Sequence, residues 1–109
     1  MKKILIFGGT SEGRRLLQAL TPYPAAVTLC VAGAYGHALL PAESEKLRIC
    51  VGRLNAEQMV ALIRRGNFSC IVDATHPYAA AASVNIKAAA SAAQVPYWRL
   101  LREKSDTGA

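Results

Sequence analysis

Features that would assign this sequence of 109 residues to several common functional classes are missing from it. It has no run of about 18 apolar residues, so no membrane-spanning helix is predicted. No block of about five like charges, no low-complexity tract and no internal repeat occurs, which argues against a nucleic-acid-binding tail and against a repeat architecture. The first apolar run, residues 4–7, is cut by Gly8 and is too short for a signal peptide, so we expect a cytoplasmic protein.

Cysteine is too sparse to indicate a disulfide framework or a metal site. The three cysteines, Cys30, Cys50 and Cys70, lie in or beside apolar stretches, and no C-x-x-C pair occurs. His37 and His76 do not lie at metal-ligand spacing from any of them. We therefore expect buried free thiols in a reducing compartment and no metal site.

Acidic residues are few, and the net charge is +6 from 13 basic and seven acidic residues. The basic residues are scattered along the chain, with doublets at residues 2–3, 14–15 and 64–65. The charge has two interpretations, a soluble surface that is simply basic or a field that attracts a polyanion such as a dinucleotide or a polycarboxylate substrate. Nucleic acid is not an expected partner, because no recognition motif accompanies the charge.

The sequence does contain a regular alternation of strand-like and helix-like segments. Strands are predicted at residues 4–7, 26–32, 47–51, 68–72 and 95–100, and helices at residues 11–20, 55–66 and 77–93. Short connections between alternating strands and helices favour a parallel sheet covered on both faces. We therefore predict an α/β, Rossmann-like three-layer sandwich with a parallel sheet of about five strands, spanning residues 1–101 and followed by a polar, frayed tail at residues 102–109.

The turn after the first strand has the sequence expected of a phosphate-binding turn. The predicted cofactor-binding residues here are Gly8, Gly9, Thr10, Ser11, Glu12 and Gly13. The turn departs from the G-x-G-x-x-G fingerprint because a threonine occupies the middle glycine position. Backbone N–H groups of residues 10–13 would face a pyrophosphate at the helix N-terminus, and a purely structural turn is the alternative.

The second predicted strand lacks the acidic residue that usually ends this strand in NAD-binding units. It ends in Val31-Ala32-Gly33, with no carboxylate to accept hydrogen bonds from the ribose. The absence removes repulsion against a 2′-phosphate and favours NADPH. Arg53 and Arg14 are the nearest basic candidates to contact that phosphate.

A second polar segment, residues 73–79, follows the fourth predicted strand. Asp73 ends that strand, at the edge where open α/β sheets bind ligands, and Pro77 suits the first position of a helix. The alternative is that Asp73 or Thr75 only caps the helix and that His76 is a surface corner. Tyr97 and Trp98 are more simply explained as residues of a core strand.

Two enzyme classes find no support in the sequence. No serine lies in a nucleophile elbow, and only two histidines are present, so a nucleophilic triad is not indicated. Tyr78 is followed four residues later by Ala82, so the Tyr-x-x-x-Lys pair of short-chain dehydrogenases is missing there.

Four segments together resemble the precorrin-6A reductases of the corrin (cobalamin) pathway and their cobalt-precorrin-6A counterparts. They are residues 8–14, 51–54, 73–79 and 95–102, and the string Asp-Ala-Thr-His-Pro-Tyr-Ala of residues 73–79 is the most specific. The resemblance implies an NADPH-dependent oxidoreductase that reduces a double bond of an anionic tetrapyrrole. It implies catalytic positions at Thr75, His76 and Tyr78, cofactor contacts at Arg53, Asp73 and Ala74, and substrate contacts at Arg99 and Arg102.

The resemblance also has a consequence for domain organisation. Members of that family have two domains with the site between them, and this chain corresponds to the N-terminal domain. We therefore expect a partner domain to complete the site. A non-catalytic dinucleotide-binding or regulatory module is the alternative function.

Overall fold

The computed structural model of the chain describes residues 2–8, 10–33, 42–76 and 80–100. These residues form five strands and three helices that alternate for most of the chain. The strands are β1 (Lys2–Phe7), β2 (Ala25–Val31), β3 (Leu47–Val51), β4 (Cys70–Asp73) and β5 (Tyr97–Arg99). The helices are α1 (Ser11–Leu20), α2 (Ala56–Gly66) and α3 (Ala80–Ala92).

The five strands form one sheet in the order β3-β2-β1-β4-β5, and every pairing is parallel. The chain moves outward from β1 to β2 and β3, and then crosses to β4 and β5 on the other side of β1. The prediction of a Rossmann-like α/β sheet of five parallel strands is confirmed. The reversal of strand order creates a crevice between the carboxyl ends of β1 and β4, where open α/β sheets bind their ligands.

Successive residues of β1 pack on opposite faces of the sheet, as the period of two requires. Leu5 and Phe7 belong to a core that includes Ile63 of α2 and Ile86 of α3. Ile6 packs in a second core, with Leu17 of α1 among its members. Burial on both faces explains why the strand segment is a continuous apolar run rather than an alternating one.

The predicted and observed bounds differ most at the later strands. The fourth strand was predicted at residues 68–72, but the structure has Cys70–Asp73, because Asp73 pairs in register with Phe7 of β1. The fifth was predicted at residues 95–100, but only Tyr97–Arg99 pair, against Ile71–Asp73 of the short β4. The predicted start of the third helix at residues 77–79 and the predicted tail from residue 102 lie outside the described residues. None of the helices among the described residues has the length and apolarity needed to cross a membrane.

Candidate functional site

The crevice between β1 and β4 is built from two backbone segments that touch. The Gly8 N–H donates to the carbonyl of Cys30 (2.8 Å), and the Ala74 N–H donates to the carbonyl of Phe7 (2.8 Å). Gly8 has φ +117°, and a Cβ there would lie 2.5 Å from the carbonyl oxygen of Ala74. Both the conformation and the close approach require glycine at this position.

The side chain of Thr10 connects the turn after β1 to the segment that follows β4. As the N-cap of α1, its hydroxyl accepts a hydrogen bond from the Gly13 N–H (3.1 Å) and donates one to the carbonyl of Ala74 (2.7 Å). Gly13 lets the helix start approach the strand end, since a Cβ there would lie 2.6 Å from the Gly8 carbonyl oxygen. The two segments that the sequence singled out therefore form one structural unit.

The arrangement narrows the set of donors available to an anion. The N–H of Gly13 donates to Thr10 Oγ1 and the N–H of Arg14 to the Thr10 carbonyl (3.0 Å). The prediction that the N–H groups of residues 10–13 all face a pyrophosphate is therefore wrong for Gly13, and the Thr10 hydroxyl is likewise engaged by the protein. The N–H groups of Ser11 and Glu12 have no acceptor among the described residues, and they lie where the helix dipole is positive.

A cavity of about 690 Å³ opens at this edge of the sheet. Five of the predicted site residues line it, namely Gly8, Thr10, Arg53, Thr75 and His76. Its apolar walls come from α2 and α3 and the segment before α2, with Leu54, Met59 and Ile86 among their members. A largely apolar cavity of this size with a few convergent polar groups is typical of a cofactor site.

Asp73, at the end of β4, is fully buried with 0% of its surface exposed. Its Oδ1 accepts hydrogen bonds from the Thr75 N–H (3.0 Å) and hydroxyl (2.7 Å), and its Oδ2 accepts one from the Tyr97 hydroxyl (2.6 Å). Arg99 Nη1 lies 3.0 Å from Oδ1 and completes an ion pair. A buried carboxylate satisfied in this way holds its neighbours in fixed positions.

The network shifts the titration of both acidic members. Burial by itself raises the pKa of Asp73, but hydrogen bonds from Tyr97, Thr75 and Ser83 outweigh it, so the net pKa is lowered from its ordinary value. Burial and the hydrogen bond to Asp73 raise the pKa of Tyr97 to about 12. At neutral pH the pair is therefore a carboxylate and a neutral phenol that donates to it.

Arg99 bridges Asp73 and Thr75. In addition to the ion pair, its Nη1 contacts the carbonyls of Asp73 (3.2 Å) and Thr75 (3.0 Å) and the Thr75 hydroxyl (3.2 Å). The side chain is 24% exposed, and Nη2 and Nε have no partner among the described residues. The guanidinium is thus oriented by one nitrogen and retains donors for an anion.

The structure does not place all the predicted site residues alike. Ser11, Glu12, Gly13 and Arg99 are not among the residues that line the cavity. Arg53 and His76 are exposed and line the cavity. Asp73 and Ala74 are enclosed, at 0% and 1% exposure, so any contribution to cofactor binding passes through the groups they hold. Gly9, Tyr78 and Arg102 lie outside the described residues.

Two functional contacts were missed by sequence reasoning. Tyr97 and Trp98 were interpreted as core residues. Tyr97 does pack beside the core, but its hydroxyl also donates to Asp73. The interpretation is wrong for Trp98, which is 64% exposed because it lies on the opposite face of β5. Ser83 of α3, whose hydroxyl lies 3.2 Å from that of Thr75, was not singled out at all. The alternation along Tyr97-Trp98-Arg99 was the available signal, because it places Tyr97 and Arg99 on the same face of β5.

The cysteines are free, as predicted, but the prediction that they are buried is right only for Cys30, since Cys50 and Cys70 are half-buried. Cys30 is buried and pairs in register with Cys50 on the next strand. Burial and the neighbouring Cys50 raise the pKa of the Cys30 thiol to about 12, so it is unreactive as a nucleophile. Among the described residues no group of three or more His, Cys, Asp and Glu side chains is placed to hold a metal ion.

Comparison with known proteins gives consistent family matches. Residues 3–109 match the family described as "Precorrin-6x reductase CbiJ/CobK". A cobalt-precorrin-6A reductase of Salmonella typhimurium is 39% identical over 92 residues, 84% of this chain and 34% of that protein. A precorrin-6A reductase of Mycobacterium tuberculosis is 30% identical over 108 residues, 99% of this chain and 43% of that protein. The chain thus spans well under half the length of the curated relatives it matches.

Solved structures agree with the fold. The structure titled "CobK precorrin-6A reductase" superposes with a TM-score of 0.79 at 27% identity, covering 100% of this chain and 42% of that one. A short-chain dehydrogenase/reductase from Veillonella parvula superposes with a TM-score of 0.72 at 16% identity, covering 90% of this chain and 46% of that one. The second likeness supports the shared Rossmann-like fold alone.

Proposed function

The chain belongs to the precorrin-6x reductase CbiJ/CobK family, and from this premise we propose that it is the NADPH-binding part of an oxidoreductase of cobalamin biosynthesis. The substrate would be precorrin-6A or cobalt-precorrin-6A, and a double bond of the macrocycle would be reduced in the cytoplasm. The activity of the isolated chain is a separate question, because the relatives are more than twice its length.

The observation that carries the proposal is the hydrogen bond from Thr10 to the Ala74 carbonyl (2.7 Å). It holds the N-cap of α1 beside the segment that follows β4, and Thr10, Thr75 and His76 line one cavity. The N–H groups of Ser11 and Glu12, without an acceptor among the described residues, fit the oxygens of a pyrophosphate. A helix N-terminus favours that negative charge.

Preference for NADPH over NADH rests on the opposite wall of the cavity. Ala32, just after β2, is exposed there and offers no carboxylate to the adenosine ribose. Arg53, after β3, is exposed on the same wall and is the basic residue we assign to the 2′-phosphate. An arginine suits a phosphate because its planar guanidinium binds two oxygens at once.

Bound NADPH would supply the hydride, and the chain's own residues would position and protonate the substrate. Asp73 and Tyr97 hold Thr75 and Arg99 in place. Arg99 would bind a substrate carboxylate through its remaining donors, and Arg102 would assist by resemblance. His76, at the cavity wall, or a water molecule would give the proton that follows the hydride, with Tyr78 nearby by resemblance.

A non-catalytic dinucleotide-binding module is the second candidate, favoured by the short span of the chain relative to its relatives. The reductase proposal expects a partner domain to supply the other side of the site. Turnover of precorrin-6A by the chain with that domain, and not by either part alone, would support the reductase. NADPH binding without turnover in any combination would favour the module.

The cofactor site is tested with a matched pair of variants at Ser11, the first residue of α1. Ser11→Pro removes the N–H proposed to bind phosphate, while proline is favoured at this helix position and Thr10 already has the extended backbone that a following proline needs (φ −77°, ψ 167°). Ser11→Ala keeps the N–H and removes only the hydroxyl. We expect Ser11→Pro to weaken NADPH binding about tenfold or more, as for a lost hydrogen bond to a charged group.

The measurement is calorimetric or fluorescence titration of wild type and both variants with NADPH. Ser11→Ala should bind within about threefold of wild type, because the backbone donor is intact. Equal affinities for wild type and a folded Ser11→Pro variant would contradict the phosphate site. No binding of NADPH by the wild type at millimolar concentration would contradict the cofactor assignment as a whole.

A further inference from the structure

A second cavity, of about 500 Å³, lies at the opposite edge of the sheet. It is lined by the starts of β1, β2 and β3 and by the end of α2. Thr28 and Cys50 line it, whereas Cys30 and Gly52, each two residues further along the same chain segments, line the cofactor cavity. No part of the proposed reductase site reaches this edge.

Cationic side chains surround this second cavity. Lys3 of β1, Arg48 of β3 and Arg65 of α2 line it and are exposed. Lys3 is held at the wall by the Phe68 ring, with Nζ 5.7 Å from the ring centroid. A fourth, Lys46, directs its Nζ to the Thr21 carbonyl (2.9 Å) and is already engaged.

The positive charge at this edge is only partly offset by acidic residues that line the cavity. Glu45 is the only acidic residue that lines the cavity, and the one ion pair among the described residues is Arg99–Asp73, at the other edge. Like charges gathered around a low-dielectric concavity repel one another and raise the local concentration of anions. The cavity is therefore suited to a ligand that carries several negative charges.

The shape of the cavity adds a second requirement. Lys3 and Arg48 lie on strands that are separated by one strand, and such strands are about 10 Å apart. The lining also includes the apolar side chains of Leu62, Phe68 and Cys50. A ligand that satisfies both features has a flat apolar body with carboxylates at its periphery, because arginine pairs well with carboxylate and the apolar body covers the wall.

We propose that this cavity binds an aromatic or macrocyclic polycarboxylate at a site separate from the cofactor pocket. Hydride transfer needs the reacting atoms about 3–3.5 Å apart, so a ligand at this edge is held and not reduced. The site goes beyond the proposed function and does not depend on it.

The test is an amide NMR titration with benzene hexacarboxylate (mellitate), a flat aromatic polycarboxylate. We expect saturable shifts of the Thr28, Arg48 and Gly66 amides, at the second cavity, and none at Gly8 or Gly52, at the cofactor cavity. The double variant Arg48→Gln/Arg65→Gln should bind mellitate about tenfold or more weakly, because two charge-assisted contacts are lost. Its NADPH affinity should be unchanged, which separates this test from that of the cofactor site.

The control is Arg15→Gln/Lys87→Gln, which removes the same charge from exposed positions on α1 and α3. It should leave mellitate binding within about threefold of wild type. Lys3→Gln is a second variant, to be used if the Arg48/Arg65 double variant does not fold. We expect it to weaken mellitate binding as well. Citrate and tripolyphosphate are compared with mellitate, since neither has an apolar body.

Any one of four results would overturn the proposal. The first is the absence of saturable shifts with mellitate, and the second is shifts confined to the Gly8 and Gly52 edge. The third is binding of citrate or tripolyphosphate as tightly as mellitate, because the site would then recognise charge alone. Equal weakening by the control pair would likewise assign the effect to net charge.

Discussion

At the scale of single residues, Asp73 determines the geometry of more groups than any other side chain of the candidate site. Its two oxygens accept hydrogen bonds from Thr75 and Tyr97, and Arg99 neutralises its charge. A carboxylate that is 0% exposed is stable only when it is paired in this way. Removing its charge should therefore weaken the fold and loosen Thr75 together.

We predict that Asp73→Asn lowers the free energy of unfolding at neutral pH by about 2–4 kcal/mol, because the ion pair and the charge-assisted bonds are lost while the shape is kept. The pKa of Asp73 is lowered in the folded state, by hydrogen bonds that outweigh the opposing effect of burial. Its contribution to stability is therefore complete above the ordinary pKa of 3.8 and is lost as the pH falls towards the lower folded value.

Urea unfolding of wild type and variant across the acidic range checks both parts of this prediction. The difference between them should be largest near neutral pH and should shrink below about pH 4. Glu57→Gln, at an exposed position on α2, is the control and should change stability by less than about 0.5 kcal/mol. A difference that stayed constant from neutral to strongly acidic pH would show that the charge of Asp73 is not the cause.

At the scale of the secondary-structure elements, the hydroxyl of Thr10 makes two hydrogen bonds at the start of α1. Thr10 caps the helix through Gly13 and ties it to the Ala74 carbonyl. We predict that Thr10→Val, which keeps the shape and removes both bonds, destabilises the protein by about 2 kcal/mol, the sum of a cap and a hydrogen bond. Thr10→Ser should lose less than half of that.

Thermal unfolding of the two variants measures this effect, and NADPH titration measures its consequence for the site. Thr10→Val should also bind NADPH more weakly, since the helix N-terminus is no longer held beside the β4 segment. If Thr10→Val were as stable as wild type, the two hydrogen bonds of the Thr10 hydroxyl would make no net contribution to the free energy of unfolding. If only Thr10→Ser were destabilised, the loss would come from the methyl group.

The sequence predicted those parts of the elements that depend on neighbouring residues. Threonine is a residue type favoured at helix N-caps, and Thr10 caps α1. Asn55 followed three residues later by Gln58 is a capping-box pattern, and both of its hydrogen bonds are present. The end of α2 shows where local reasoning stops. The helix ends at Gly66, as predicted, but the residue in the left-handed conformation is Asn67 (φ 53°), and Gly66 makes room for the Phe68 ring.

Contacts between distant parts of the chain were not predictable in the same way. The hydrogen bond from Thr10 to Ala74 joins residues 64 apart, and that from Tyr97 to Asp73 joins residues 24 apart. Each depends on the register of parallel strands, which no local pattern specifies. The sequence therefore predicted which segments meet at the site but not which atoms are already engaged by the protein.

At the scale of the whole molecule, the sheet separates two cavities of different character. The cavity at the carboxyl edge is mostly apolar and lies against the N-terminus of α1, whereas the one at the opposite edge is ringed by cations. The net charge of +6 is thus not evenly spread over the ligand-accessible concavities. This separation makes it feasible to change cofactor preference without changing the basic edge.

We predict that Ala32→Asp reverses the cofactor preference that we propose. Ala32 is exposed at the cavity, just past the end of β2, where NAD-binding units place an acidic residue. A carboxylate there accepts hydrogen bonds from the ribose hydroxyls of NADH and repels the 2′-phosphate of NADPH. NADPH affinity should fall about tenfold or more, and NADH affinity should rise or stay unchanged.

The melting temperature with each cofactor at a fixed concentration reports the preference, because a ligand that binds the folded state stabilises it according to its affinity. Wild type should be stabilised more by NADPH and Ala32→Asp more by NADH. Ala32→Asn has a similar size without the charge, and it should keep the wild-type order. An Ala32→Asp variant that still prefers NADPH would mean that the adenosine ribose does not lie at the end of β2, even if the pyrophosphate binds at Ser11.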